Sequence, residues 1–431
     1  MESLKYAVER DLPVTHEADV VVVGGGPGGL GAAVMAARAG ARTLLVERYG
    51  FLGGMATSGE VHPFMGNHVR DQPLDGPVYT DWVAAMDKYR ANGGNDRYIS
   101  KDAAMLAAED LCLEAGVDLL YHHQLADVLV TGRRIEGLVM LSKSGYTAVR
   151  GAMYVDCTGD GDVAFRAGNT CEQGGPSGHS QPMTLCFKLS KVDRARMPKR
   201  EEINRLYDEA RDRGDIQCLR ENILLFHWFE DDVIHFNTTR VIHRSGTSGA
   251  ELSDAELQAR SQVRQLLRFF RERVSGFENA QLHSMAHHIG VRETRRVIGR
   301  AYLEREAFEE KRKCADSIAR VRYTIDIHNP DGTGTEIIHM PAGEWYEIPY
   351  GCVVARDLDN LLVGGRPISV DHAIHSSMRV MPPACTVGQG AGVGAAMAAA
   401  RGCGAGEVEG VAVRQRLVEL GAGLGEPEVA T

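Results

Sequence analysis

Gly24, Gly26 and Gly29 stand in the spacing Gly-x-Gly-x-x-Gly directly behind the run Ala18-Asp19-Val20-Val21-Val22-Val23. That spacing suits one chemistry, the holding of a dinucleotide pyrophosphate. The first glycine makes a tight turn, the second lets the backbone approach the pyrophosphate, and the third lets the following helix pack closely on the strand. Phosphate charge then rests on amide groups at the helix N-terminus. Pro27 and Gly28 complete the loop, and Glu47 ends the next strand, where a carboxylate can accept hydrogen bonds from both ribose hydroxyls and disfavours a 2′-phosphate. The motif leaves open whether the dinucleotide is FAD or a nicotinamide, since both use it.

The elements that must position these residues follow from hydrophobic pattern. The β-branched run suits a strand buried on both faces. Residues 30–38 are alanine-rich and stop at Gly40, and 43–47 read as a second strand, which completes a β-α-β unit. Residues 100–115 read as a helix, with short strands at 117–121, 126–131, 135–141 and 148–155. From about Phe165 the chain turns polar, with charge-rich helices at 200–213 and 253–273 and few glycines. A glycine-rich, apolar texture returns at 348–397, where 360–363 read as a buried strand and 388–400 as a helix of small residues. Like composition at both ends predicts one domain built from residues 13–167 and 346–403, with 168–345 inserted as a cap and 404–431 as a loose tail carrying one weak helix around 411–420.

With 431 residues, a single small domain is excluded. The 48 basic and 58 acidic side chains give a net charge of −10, which argues against nucleic acid or an anionic membrane as partner and favours a small molecule. No stretch has the apolar length of a membrane span, and the first residues lack the apolar core of a secretory signal, so a cytoplasmic location is expected. Nine cysteines without C-x-x-C spacing read as reduced thiols, and sixteen histidines without a helical pair beside an acid predict no metal site.

Three further segments carry a resemblance. Glu47-Arg48-Tyr49-Gly50-Phe51-Leu52-Gly53-Gly54-Met55-Ala56-Thr57, Val155-Asp156-Cys157-Thr158-Gly159-Asp160-Gly161-Asp162, and Asn360-Leu361-Leu362-Val363-Gly364-Gly365-Arg366 continuing to Ser376-Ser377-Met378-Arg379-Val380-Met381 and Gly388-Gln389-Gly390 resemble the flavin motifs of the bacterial FAD-dependent oxidoreductase family. In the second segment Cys157 stands where that family usually has alanine. The inserted segments Gln181-Pro182-Met183-Thr184, Asn237-Thr238-Thr239-Arg240 and Ile289-Gly290-Val291-Arg292-Glu293-Thr294-Arg295-Arg296 are similar as well, so the likeness runs from about Asp19 to Ala400. It implies an α/β fold with a Rossmann-like FAD-binding domain of glutathione-reductase type and a large α+β cap. It also implies FAD as cofactor, held by Gly24, Gly26, Pro27, Gly28, Gly29, Glu47, Arg48, Gly53, Gly54, Met55, Ala56, Leu125, Ala126, Thr158, Gly159, Asp160, Gly365, Arg366, Met378, Arg379 and Val380. A helix beginning near Gly388 would point its N-terminus at the flavin.

The resemblance places the candidate chemistry beside the ring. Arg292 could clamp a carboxylate or carbonyl oxygen of the substrate, or form a salt bridge to Glu293 or another acid on a surface helix. His372, in a loop before Arg379, is the leading general base, ahead of His62 and His375. The segment after Gly53-Gly54 has no cysteine pair, and no second strand-glycine-helix unit offers a nicotinamide site, so electrons are expected to pass to oxygen or a carrier. The expected activity is hydride transfer from a small polar substrate to FAD by a dehydrogenase or oxidase. The competing readings are a flavoprotein reductase, an RNA-modifying flavoenzyme, disfavoured by the net charge, and a non-catalytic FAD-binding module. A homodimer is the default assembly.

Overall fold

A computed structural model describes residues 11–69, 72–89 and 99–425. The N-terminal ten residues, read above for a signal, lie outside the described residues.

The valine run forms β1 (Val14–Val23), followed by helix α1 (Pro27–Arg38) and strand β2 (Thr43–Val46). Val20, Val21 and Val22 are fully buried, as a strand covered on both faces requires. β1 pairs in parallel with β2, Val23 opposite Val46, which in turn pairs in parallel with β3 (Asp118–Leu120). Beyond them in sequence run β4 (Gln124–Thr131), β5 (Arg134–Ser142) and β6 (Gly145–Asp156), an antiparallel meander, and β6 returns alongside β1 in parallel with Asp156 opposite Val23. The distant strand β7 (Leu361–Val363) pairs in parallel with the end of β6, Val363 opposite Asp156. Seven strands thus form one largely parallel sheet, in the order β3-β2-β1-β6-β5-β4 with β7 joined to β6. The C-terminal ends of β1, β2, β6 and β7 lie side by side, so the turns that follow them converge on one edge, where α/β folds place their ligands.

Two helices follow β7. Helix α2 (His372–Met378) is capped by Asp371, whose carboxylate accepts from the Ile374 amide at 2.7 Å. His372 and His375 are therefore helical, where the sequence suggested a loop. Helix α3 (Met381–Arg401) begins two turns earlier than expected from its glycines, with Val380 as N-cap. Gly388 sits inside it for a packing reason: a Cβ there would lie 2.0 Å from the Gly28 carbonyl oxygen, so only glycine lets α3 cross α1 this closely. The third motif glycine is similarly constrained, since a Cβ on Gly29 would lie 1.8 Å from the Gly24 carbonyl oxygen.

A second hydrophobic core lies between Met183 and Ile289. An antiparallel sheet of Leu225–His227, Ile234–Phe236, Phe187–Ser190 and Gln281–Met285 is covered by the helices Arg200–Asp212 and Gly249–Arg273. Phe270 anchors it, with ring centroids 4.8 Å from Phe236 and 4.7 Å from Phe277. Residues 297–345, grouped with the insertion by composition, contribute Val297, Ile318, Val321 and Ile325 to the core around the first sheet instead.

The tail also differs from the sequence reading. The expected weak helix forms at Gly410–Glu419, but it is docked: Val413, Leu417 and Leu424 are buried, and the Arg414 guanidinium donates to the Leu424 carbonyl at 3.0 Å. No helix among the described residues is long and apolar enough to cross a membrane.

Candidate active site

The turns at the sheet edge open into a cavity of about 700 Å³, within the usual range for ligand pockets. Gly24, Gly26, Pro27 and Gly28 line one part of it. The N-cap of α1 is Gly26, which has no side chain to cap the helix, and no acid occupies the first turn, so the helix itself sets no side chain against an anion at that positive end. Glu47 lines the same region. Its Oε2 accepts from the Gly25 amide at 2.7 Å and its Oε1 from the Tyr49 amide at 3.0 Å, so the carboxylate fixes the glycine loop while retaining acceptor capacity towards the cavity.

Arg48, Gly54, Met55, Leu125, Thr158, Gly159, Gly365, Arg366, Arg379 and Val380 complete the part of the expected flavin set that faces the cavity. The rest stand behind it. Gly29 is packed on Gly24, Gly53 donates its amide to the Gly25 carbonyl at 2.8 Å, and Ala56 and Met378 are buried in the core. Ala126 is absent from the lining, and Asp160 receives the Arg366 guanidinium at 2.7 Å and the Thr294 hydroxyl at 2.9 Å. The fully buried Asp156 orders the turn after β6 by accepting from the Thr158 amide and hydroxyl and from the Ala164 amide. Burial pushes its pKa up to about 6 against those bonds.

The candidate catalytic residues divide. Arg292 and His62 line the cavity, and His372 does not. His372 Nδ1 instead lies 2.8 Å from Glu293 Oε1, and Glu293, fully buried, also receives Arg296 at 2.7 Å and the Gln181 amide at 3.0 Å. Burial alone would raise the Glu293 pKa, but the His372 bond and the nearby histidines outweigh it and hold the carboxyl at about 2. Glu293 is thus committed to His372 and Arg296, and Arg292 has no carboxylate within salt-bridge distance among the described residues.

Arg292 spends one nitrogen on the protein: Nη1 donates to the Pro182 carbonyl at 2.6 Å and to Thr184 Oγ1 at 2.7 Å. Burial and the charges of Arg379 and Arg220 bring its pKa down to about 9. Those two arginines also line the cavity. Arg379 lies 3.7 Å from Asp326 Oδ2, and Arg220 3.9 Å from Glu221. Tyr323 donates to Asp326 at 3.2 Å, and His328 shares a hydrogen bond of 3.1 Å with Thr335. Burial and the surrounding arginines depress the His328 pKa strongly, so this imidazole is neutral.

His62 is likewise neutral. Burial and the Lys188 charge bring its pKa down to about 3, and its Nδ1 accepts from the Ile99 amide at 3.3 Å. Its ring meets Trp228 edge-on with centroids 4.9 Å apart, and Lys188, ion-paired with Glu60, lies 4.4 Å above the same indole.

Sequence reasoning missed Arg220, Tyr323, Asp326 and His328. A signal existed for the last two: Ile325-Asp326-Ile327-His328 alternates apolar and polar side chains and runs into Asn329-Pro330-Asp331-Gly332, a hairpin turn between the strands Ile325–His328 and Thr335–Ile338.

Against known proteins, the chain is 37% identical over 124 residues to a thiamine thiazole synthase of Aeropyrum pernix, covering 28% of this chain and 43% of that protein. It is 30% identical over 143 residues to a thiamine thiazole synthase of Methanococcus vannielii, covering 32% of this chain and 51% of that one. The matches thus span about half the length of these relatives. A geranylgeranyl bacteriochlorophyll reductase-like protein from Thermoplasma acidophilum aligns over 94% of this chain and 83% of its own, with a TM-score of 0.45 and 13% identity. The family profile described as FAD dependent oxidoreductase matches residues 19–417, nearly the whole chain, and its cofactor is the one the glycine loop, Glu47 and the converging turns suit: the protein belongs to the FAD dependent oxidoreductase family.

Proposed function

We propose that the protein is a redox enzyme that oxidises a small substrate carrying an anionic group, held by Arg292 opposite the flavin, with hydride passing from substrate to FAD. The cofactor-binding fold would be of the glutathione-reductase type. Bound FAD supplies the two-electron acceptor. Within the cavity, the Gly24–Gly28 loop and the start of α1 would hold the pyrophosphate, Glu47 the ribose, and Gly54, Met55, Gly365, Arg366, Arg379 and Val380 the flavin end.

The observation that carries the reading is the charge balance around Arg292. Its neighbour Glu293 is taken by His372 and Arg296, Nη1 is the nitrogen that bonds the protein, and Arg220 and Arg379, whose charges lower the Arg292 pKa, line the same cavity. Burying guanidinium groups together is costly unless an anion joins them, so the cavity favours a ligand that brings negative charge. His62 Nδ1 is already occupied by the Ile99 amide, so His328 would be the group that receives a substrate proton there, once a bound anion offsets the arginines around it.

The test is anaerobic bleaching of the flavin absorbance by matched pairs of compounds, each hydroxy or amino acid beside its neutral amide. A carboxylate that bleaches at least tenfold faster than its amide supports the proposal. Equal rates for both members of every reducing pair would refute it.

A further inference from the structure

Three side chains remote in sequence meet outside the cavity. His179, His243 and Asp331 bring one imidazole nitrogen each and a carboxylate oxygen within 4.8 Å of one another. Asp331 Oδ1 is 2.5 Å from His179 Nδ1 and 3.2 Å from His243 Nε2, and the two rings lie 4.5 Å apart at their centroids. We propose that these residues form a site for one divalent transition-metal ion of the zinc type, clasping the tip of the hairpin that carries Asp326 and His328.

The donor set selects the class of ion. Two imidazoles and one carboxylate suit zinc and its neighbours, whereas magnesium and calcium prefer all-oxygen shells. Zinc bonds nitrogen and oxygen at about 2.0–2.2 Å, so tetrahedral ligands sit about 3.3 Å from each other; the His243–Asp331 separation of 3.2 Å matches this, and the His179–Asp331 contact of 2.5 Å would open to admit the ion. Two imidazoles already directed at one carboxylate oxygen can be gathered around a shared cation by side-chain rotation at the exposed surface, which also leaves a fourth position to water.

The backbone holds the arrangement ready. His243 has φ of +54°, the left-handed region that a non-glycine residue seldom adopts, so its loop is bent to present that side chain. Next to it, the Arg240 guanidinium donates to the Asn329 carbonyl at 2.9 Å and the Gly334 carbonyl at 3.0 Å, fastening both ends of the hairpin turn. Asp331 lies between those two anchors. A metal at the triad would therefore link the loops of His179 and His243 to the turn whose strands present Asp326, His328, Thr335 and Ile337 to the cavity. Sequence spacing could not reveal the site, because each ligand comes from a different loop.

The experiment is zinc titration of the metal-stripped, FAD-loaded full chain by calorimetry, with metal content measured after dialysis and the thermal midpoint recorded with and without zinc. Wild type is expected to take up one zinc per chain, with a raised midpoint. His179→Ala/His243→Ala should weaken binding at least a hundredfold and abolish the zinc-dependent rise, while keeping its flavin, because all three side chains are exposed. Asp331→Asn should weaken binding at least tenfold. Absence of uptake by wild type, or equal uptake by the double variant, would overturn the proposal.

Discussion

Arg292 Nη1 lies 2.7 Å from Thr184 Oγ1, a contact that joins two segments remote in sequence at the wall of the cavity. The hydroxyl and the Pro182 carbonyl fix one edge of the guanidinium without neutralising it. An ion pair with Glu293, the alternative the sequence offered for Arg292, is precluded because that carboxylate already serves His372 and Arg296.

A pH dependence follows from this environment. The Arg292 pKa is lowered to about 9 from 12.5, so the cation is intact at neutral pH and is lost as pH rises through 9. Because kcat/KM reports groups of the free enzyme, its value for an anionic substrate should fall about tenfold per pH unit above 9. A neutral analogue measured in the same buffers should show no such limb.

Glu47 is the residue whose loss should empty the cofactor site. Glu47→Ala removes the acceptor for the Gly25 and Tyr49 amides together with the ribose contacts, a cost of about 1–3 kcal/mol per lost charged hydrogen bond. The purified variant should carry well under half the flavin of wild type, read from the visible spectrum. Full occupancy would contradict the assignment.

The buried Glu293 pair gives a stability prediction. Glu293 titrates at about 2 in the fold against 4.5 in the free side chain. A depressed carboxyl pKa stabilises the fold above pH 4.5, and that contribution, on the order of 3 kcal/mol, is lost as pH falls towards 2. Glu293→Gln should therefore lower stability at neutral pH by about 3 kcal/mol, because the buried Arg296 keeps only the more distant Glu172 carboxylate at 3.7 Å, and should flatten the acid limb of the denaturation curve.

His372→Ala separates the two readings of that histidine. As a partner of Glu293 outside the cavity lining, its loss should cost about 1–3 kcal/mol of stability and leave the rate of flavin reduction unchanged. A general base would show the reverse, a slowed reduction with the unfolding midpoint preserved.

These residues also show what a single sequence reveals. The valine run, the glycine spacing and Glu47 were legible because their chemistry is local: strand, turn and helix N-terminus follow one another within one β-α-β unit. β7, far along the chain, was legible from its apolar run. The direction of His372 was not, because a histidine one residue past a helix cap can face a ligand or a buried acid, and Glu293 meets it only through tertiary packing. Arg220 was hidden for the same reason: a charged residue in a polar segment reads as solvated until the fold encloses it. The tail misled in the opposite sense, since Val413 and Leu417 are too few to announce a docked helix.

The most direct test of the anion site compares the anaerobic reduction of bound flavin by a reactive carboxylate in wild type, Arg292→Lys and Arg292→Ala. The account predicts equal flavin content in all three, reduction slowed about tenfold to a hundredfold in Arg292→Ala, and partial recovery in Arg292→Lys, which keeps the charge but not the two-nitrogen fork. Reduction of Arg292→Ala at the wild-type rate, with flavin fully bound, would contradict it.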